Sequence, residues 1–229
     1  MTGSASEMQP LGSILSENGF QVTIPTLSGH SSKLSHFKTT KTAAWIKDAY
    51  QNLELCSQHS STKVHLIGHS FGASLGLYLA LFRPSLIASL TLISPTFVIK
   101  PIWAHCLIKL LSYLPEKAID LLPLLPKRHN NMYCLVVPRT AYPVYSIGAA
   151  ARMMQIIARI VPKLSHLAVN TLILRDPNDH LSHQSSLNLL RSKCRPDLLE
   201  IIELEDANHE LLAGKHRQQA FELIRKFIS

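Results

Sequence analysis

An α/β fold built on a largely parallel sheet is what this sequence predicts, and three observations carry the prediction. Short apolar runs rich in β-branched residues alternate with longer segments of helical periodicity. The runs are separated by helix-length spacers rather than tight turns, the spacing of parallel βαβ units with right-handed crossovers. The 229 residues are 46% hydrophobic and 17% charged, a globular composition that excludes disordered, collagen-like and coiled-coil chains.

In chain order, Leu11 to Asn18 reads as a short helix closed by Gly19 at its C-cap. Phe20 to Ile24 alternates like a strand and stops at Pro25. Residues 28–40 are polar and serine-rich, as a loop would be. Thr42 to His59 predicts a helix burying Ile46, Ala49, Tyr50 and Leu53, with Asp48 on the other face. A strand over Lys63 to Gly68 leads into an apolar helix from Ala73 to Phe82, and Leu86 to Ile93 is a second buried strand. Seven prolines then break residues 97 to 164 into short pieces, an insertion that includes a pair of amphipathic helices between Ile102 and Pro126. The alternation resumes with a strand at Val169–Leu174, a helix at Ser185–Lys193, a strand at Leu198–Leu204 and a closing helix at Gln218–Ile228. The chain divides into a first core part (1–96), the insertion (97–164) and a second core part (165–229).

The four cysteines are scattered with no C-x-x-C, which fits reduced thiols in a cytoplasmic protein. The net charge of +8 favours anionic surfaces in general. The basic residues are spread rather than massed, so a nucleic-acid partner is not expected; the excess fits either a soluble protein that is merely basic or peripheral contact with anionic membranes. The first residues lack the basic and apolar regions of a signal peptide, and no apolar run reaches the length of a membrane span.

Chemistry concentrates at Gly68-His69-Ser70-Phe71-Gly72, a G-x-S-x-G pentapeptide between a strand and an apolar helix. That setting is a nucleophile elbow: a sharp turn lifts the serine above the sheet, and its glycines permit close backbone approach. The next helix aims its N-terminus at a developing oxyanion. A base and an orienting acid are then required in the order serine, acid, histidine. Two later strands run into Asp176-Pro177-Asn178-Asp179-His180 and Asp206-Ala207-Asn208-His209-Glu210, loops at strand C-terminal ends where open sheets build their sites. His209 is the candidate base and Asp179 the candidate acid, with Asp176 as its competitor. His180 and His183 with the two aspartates form the tightest cluster of possible metal ligands. No second ligand-rich segment accompanies them, so no metal is expected.

These residues resemble the α/β-hydrolase superfamily, and within it bacterial carboxylesterases and monoacylglycerol-lipase-like or lysophospholipase-like enzymes. The resemblance spans the chain and is carried by Gly29-His30, Trp45, Asp48, Gly68-His69-Ser70-Phe71-Gly72, Leu172-Ile173-Leu174 with Asp179, and Asn208-His209-Glu210. It implies Ser70 as nucleophile, Asp179 as acid, His209 as base and the Phe71 N–H as an oxyanion donor. His69 is expected to pack behind the serine, and the insertion to form a helical cap whose apolar residues between Ile102 and Leu125 line an acyl pocket. The implied activity is hydrolysis of a small-molecule ester or lipid, with no cofactor. Other readings are a thioesterase, acyltransferase or C–C hydrolase on the same scaffold, or an inactive remnant acting as a binding protein. Against the family pattern the first three strands are lacking, Met1 falls on the position of the second oxyanion donor, Ser31 replaces a frequent glycine, and Asp176 replaces another. A truncated chain or a late start would account for the missing strands.

Overall fold

The computed structural model describes residues 3–58, 62–127 and 141–229. Its main sheet has four parallel strands: β1 (Val64–His69), β2 (Ile87–Ile93), β5 (Thr171–Arg175) and β6 (Leu199–Glu203), in the spatial order β1-β2-β5-β6. Helix α4 (Phe71–Phe82) crosses from β1 to β2, and α8 (Ser185–Lys193) from β5 to β6. Between β2 and β5 lie α5 (Ile102–Leu111), α6 (Glu116–Leu121), a small antiparallel hairpin of β3 (Leu124–Pro126) with β4 (Val144–Ser146), and α7 (Ile147–Ile160). The helices α1 (Gln9–Glu17), α2 (Leu34–Thr39), α3 (Thr42–Gln58) and α9 (Arg217–Ile228) complete the elements used below.

Successive side chains of a strand face opposite sides of the sheet, and the two halves of the core follow that alternation. Ile173 joins Leu90, Leu92, Trp45 and Leu77 on one side, under α3, α4 and α7. Its neighbours Leu172 and Leu174 join Ile93, Leu11, Phe221 and Ile224 on the other, under α1 and α9. Nine of the 12 residues of α4 are buried, because it is covered by the sheet on one side and by α7 on the other. That burial explains why its sequence is apolar all round instead of amphipathic.

Within the insertion, the 14-residue α7 and the β3–β4 ladder depart from the short helical pieces expected there. Outside it the expected elements form within a residue or two, with three differences. The polar stretch at 28–40 contains the short helix α2, which buries Phe37. The apolar helix after the elbow begins at Phe71, directly behind the serine. The strand expected over Phe20–Ile24 does not form: residues 21–27 run without ladder pairing. Alternation alone does not make a strand, since a strand exists only as one side of a ladder. Among the described residues none pairs with this segment, and it faces β1 across a groove. β1 correspondingly has one neighbour, β2, and Val64 to Ile67 are half-buried where β2 is almost wholly covered.

A buried charge joins the helices between β2 and β5 to the N-terminal part of the chain. The Arg152 side chain on α7 is fully buried. It donates to Glu116 and Asp120 of α6 and, through Nη1, to the Lys38 carbonyl at 2.9 Å. Lys41 closes the cluster on Asp120 at 2.7 Å. Burying a guanidinium is costly unless its donors are satisfied, and here each nitrogen has an acceptor.

Candidate active site

Ser70 stands between β1 and α4 with φ 54° and ψ −107°, a left-handed backbone on a residue that carries a Cβ. Such a conformation costs about 1–3 kcal/mol and persists only where the surroundings enforce it. Enforcement is visible at Gly68, where an added Cβ would lie 2.3 Å from the Gly72 carbonyl oxygen. Of the two motif glycines, only Gly68 is needed for close approach, since a Cβ at Gly72 would meet open space. The elbow does not leave the serine exposed: Ser70 retains 8% of its surface and lies at the base of a cavity.

The two loops predicted to meet Ser70 do so. His209 Nε2 lies 2.9 Å from Ser70 Oγ, and His209 Nδ1 lies 2.7 Å from Asp179 Oδ2. Asp179 Oδ1 accepts the amides of Leu181 at 2.7 Å and Ser182 at 2.9 Å. Burial of the Asp179 carboxyl pushes its pKa up, but His209 and the two amides outweigh this and hold it below the usual carboxylate value. An ionised Asp179 fixes the Nδ1–H tautomer of His209 and leaves Nε2 to accept the serine proton.

Asp176 is equally buried but serves another purpose. Its Oδ1 accepts the Asn178 amide and its Oδ2 the Asn208 amide, both at 2.7 Å. It therefore ties the acid loop to the histidine loop and does not touch His209. Asn208, at φ 64°, accepts from His180 at 2.6 Å and from the His209 amide at 3.1 Å. His69 donates from Nε2 to the His209 carbonyl at 2.9 Å, so it fixes the histidine loop, and it also lines the cavity that holds Ser70. The residues of the candidate metal cluster are thus separately engaged, His183 with Ser185 and the others as described. Among the described residues no group of three or more metal-ligating side chains occurs.

Chain from the segment after β2 holds the acid loop in place. Lys100 Nζ donates to the Asp179 carbonyl at 2.7 Å, and the Lys100 and His183 amides bond to Leu181 and Val98 carbonyls. Ser182 Oγ donates to the Pro95 carbonyl at 2.7 Å. None of these contacts carries a local signal in the sequence, because each joins residues some 80 positions apart.

Opposite the histidine, the loop bearing Gly29-His30 is held by residues of α3. Asp48 Oδ2 accepts the Ser28 amide at 2.6 Å and Trp45 Nε1 donates to the Ser28 carbonyl at 2.9 Å. Asp48 thus has a loop-fixing role that its place off the apolar face does not reveal. Tyr142 donates to the Gly29 carbonyl at 2.7 Å, and the His30 ring stacks over Phe71.

Phe71 opens α4, where the first amides of a helix have no acceptor within it and favour negative charge. Its N–H is one candidate oxyanion donor; the expected second donor, Met1, lies outside the described residues. The cavity above Ser70 has a volume of about 1010 Å³, and its lining includes α1, residues 20–27, the second half of α3, β1, the start of α4, residues 141–145 and the loops bearing His180 and His209. No residue between Ile102 and Leu125 lines it, which corrects the expectation that this stretch forms the acyl pocket. Most of its apolar side chains point outward instead.

The family described as Serine aminopeptidase, S33 (Hydrolase_4) matches residues 1–216. Among proteins of known activity, the thermostable monoacylglycerol lipase of Bacillus sp. strain H-257 is 25% identical over 210 residues, covering 91% of this chain and 79% of that enzyme. Among solved structures, one from work on LipS and LipT, two metagenome-derived lipolytic enzymes, superposes with a TM-score of 0.86 at 21% identity, covering 100% of this chain and 89% of that one. The monoacylglycerol lipase of Paleococcus ferrophilus gives a TM-score of 0.76 at 15% identity, covering 100% and 90%. The fold is that of the α/β-hydrolases.

Proposed function

This chain belongs to the serine aminopeptidase S33 family of hydrolases, and we propose on that basis that it cleaves carboxylic esters by acyl transfer through Ser70. The observation that carries the proposal is the continuous relay from Asp179 through His209 to Ser70, opening into an apolar cavity. His209 Nε2 takes the proton of Ser70 Oγ as that oxygen attacks the ester carbonyl. Asp179 stabilises the imidazolium that results and does not take the proton itself.

Negative charge developing on the carbonyl oxygen is met by the Phe71 amide and the N-terminus of α4, and loss of one such donor costs about 3–4 kcal/mol. His209 returns its proton to the leaving alcohol, and the acyl group remains on Ser70. A water then attacks the acyl-enzyme, with His209 again as base, and releases the acid. The lining supports a choice of substrate class. Leu11, Phe20, Ile24, Leu27 and Leu66 line the same cavity as the serine, which suits an aliphatic acyl chain such as that of a monoacylglycerol. The curated relative's activity on monoacylglycerols supports the same choice.

Turnover of p-nitrophenyl esters by the wild type and by Ser70→Ala tests the reading, alongside fluorophosphonate labelling and a thermal melt. Turnover and labelling are expected in the wild type and absent in the variant, with the melt unchanged. Turnover that survives in Ser70→Ala would refute the assignment of the nucleophile.

A further inference from the structure

Among the described residues, the stretch between Ile102 and Leu125 contains most of the exposed large apolar side chains. Trp103 is 70% exposed, Leu110 69%, Tyr113 75% and Leu121 82%. On α5, Trp103, Leu107 and Leu110 follow the i, i+4, i+7 spacing of a single helix face, continued by Leu114 beyond its end. Ile108, on the other side of the same helix, is buried against the body. Helix α5 is therefore apolar on both faces and packed on one. Scattered exposed leucines need no explanation, whereas a contiguous apolar face with an exposed tryptophan marks an interaction surface.

Charge around this face identifies what it meets. Lys109 on α5 and Lys117 on α6 are exposed, and among the described residues no acidic side chain pairs with either. The two local carboxylates, Glu116 and Asp120, are already engaged by Arg152 and Lys41. The surface is thus apolar and cationic on a chain of net charge +8. An aromatic and aliphatic helix face bordered by lysines fits the interface of an anionic bilayer, where apolar groups enter the acyl boundary and lysines meet phosphates. The β3–β4 hairpin links this face to the cavity: Leu125 is exposed beside its ladder partner Tyr145, and Tyr145 lines the cavity above Ser70.

We propose that the exposed face of α5, with Tyr113, Leu114 and Leu121, docks the protein onto anionic phospholipid membranes with the cavity mouth beside the bilayer. The docking rests on this surface alone and stands whether or not Ser70 is the nucleophile.

Tryptophan fluorescence offers a direct test, because the chain has two tryptophans and Trp45 is fully buried. The experiment uses the full chain carrying Ser70→Ala, so that no lipid is consumed. Vesicles of phosphatidylglycerol mixed with phosphatidylcholine are compared with pure phosphatidylcholine, by emission spectrum and co-sedimentation at low and high salt. A blue shift and sedimentation with the anionic vesicles, weakened by salt, are expected. Trp103→Ser/Leu110→Ser should weaken sedimentation at least about tenfold, and Lys109→Gln/Lys117→Gln about thirtyfold at low salt, with melts unchanged because all four side chains are exposed. Absence of sedimentation with anionic vesicles at low salt would overturn the proposal. Sedimentation that both double variants retain in full would overturn it too. Analytical ultracentrifugation showing a dimer that Trp103→Ser/Leu110→Ser dissociates would assign the face to a second copy instead.

Discussion

His69 and His209 are joined by a hydrogen bond from the His69 ring to the His209 main-chain carbonyl, 2.9 Å long. It ties the last residue of β1 to the loop that carries His209. The His209 ring therefore reaches Ser70 from a backbone fixed to the same strand that ends at the serine. His69 also lines the cavity, but its Nε2 is committed to the His209 carbonyl, so its effect on the serine passes through the placing of His209.

Replacing His69 with alanine should lower kcat about tenfold or more, since small misplacement of a reacting group has large kinetic cost, while leaving KM for a short ester little changed. Gln, which retains an N–H donor, should restore part of the loss. Steady-state kinetics on p-nitrophenyl butyrate would check both; an unchanged kcat in the alanine variant would remove the positioning role.

The two buried aspartates give opposite expectations. Asp179→Asn should reduce turnover by as much as about 10⁴-fold, because the amide favours the wrong imidazole tautomer. Asp176→Asn keeps the oxygen that can accept one of its two amide bonds and should act mainly on stability, by about 1–3 kcal/mol. Turnover and melting measured on the same preparations would separate the two, and the reverse pattern would exchange their assignments.

The Arg152 cluster makes a prediction about stability and its pH dependence. Arg152→Met leaves Glu116 and Asp120 facing one another with only Lys41 between them, and should cost about 3 kcal/mol, at the low end for a broken buried pair because both carboxylates reach water. The hydrogen bond from Lys41, opposed by burial and helped by Arg152, holds the Asp120 carboxyl below its usual range. Its contribution is therefore complete above the ordinary carboxylate pKa and disappears as the pH falls through the depressed value. The fall in Tm with acid should be shallower in Asp120→Asn than in the wild type, as a differential scanning series would show.

Legibility in the sequence followed the range of the interactions. The elbow was legible because strand, turn chemistry and helix are contiguous in residues 64–82. The order of serine, acid and histidine was legible because each loop follows a run whose composition declares a strand. What escaped depends on distant partners. Phe20–Ile24 has the alternation of a strand, yet pairing decides whether one forms. The apolar residues of α5 read as pocket lining, and only the packed structure shows which of them are covered. Arg152 lies among the alanines, methionines and isoleucines of α7, and nothing local indicates that carboxylates from α6 make its burial possible.

The last prediction concerns the open edge of β1. The sequence Val64-His65-Leu66-Ile67 has apolar residues on both faces, as in strands with neighbours on both sides, yet among the described residues β1 pairs only with β2. An apolar edge with unpaired amides is a template for adding a further strand and hence for aggregation. Amides alternate sides along a strand, and the Ser70 N–H donates across to the Ile93 carbonyl of β2. By that alternation the Leu66 and Gly68 amides also face β2, whereas those of His65 and Ile67 face the open side. Proline lacks the donor and is tolerated only at such free positions. Ile67→Pro should therefore slow aggregation on mild heating, with only the stability loss of a trimmed side chain. Leu66→Pro should break the β1–β2 ladder, cost about 3 kcal/mol and speed aggregation. Thioflavin T kinetics and melting curves on the two variants would check this, and equal aggregation rates in Ile67→Pro and the wild type would show that the edge is not the template.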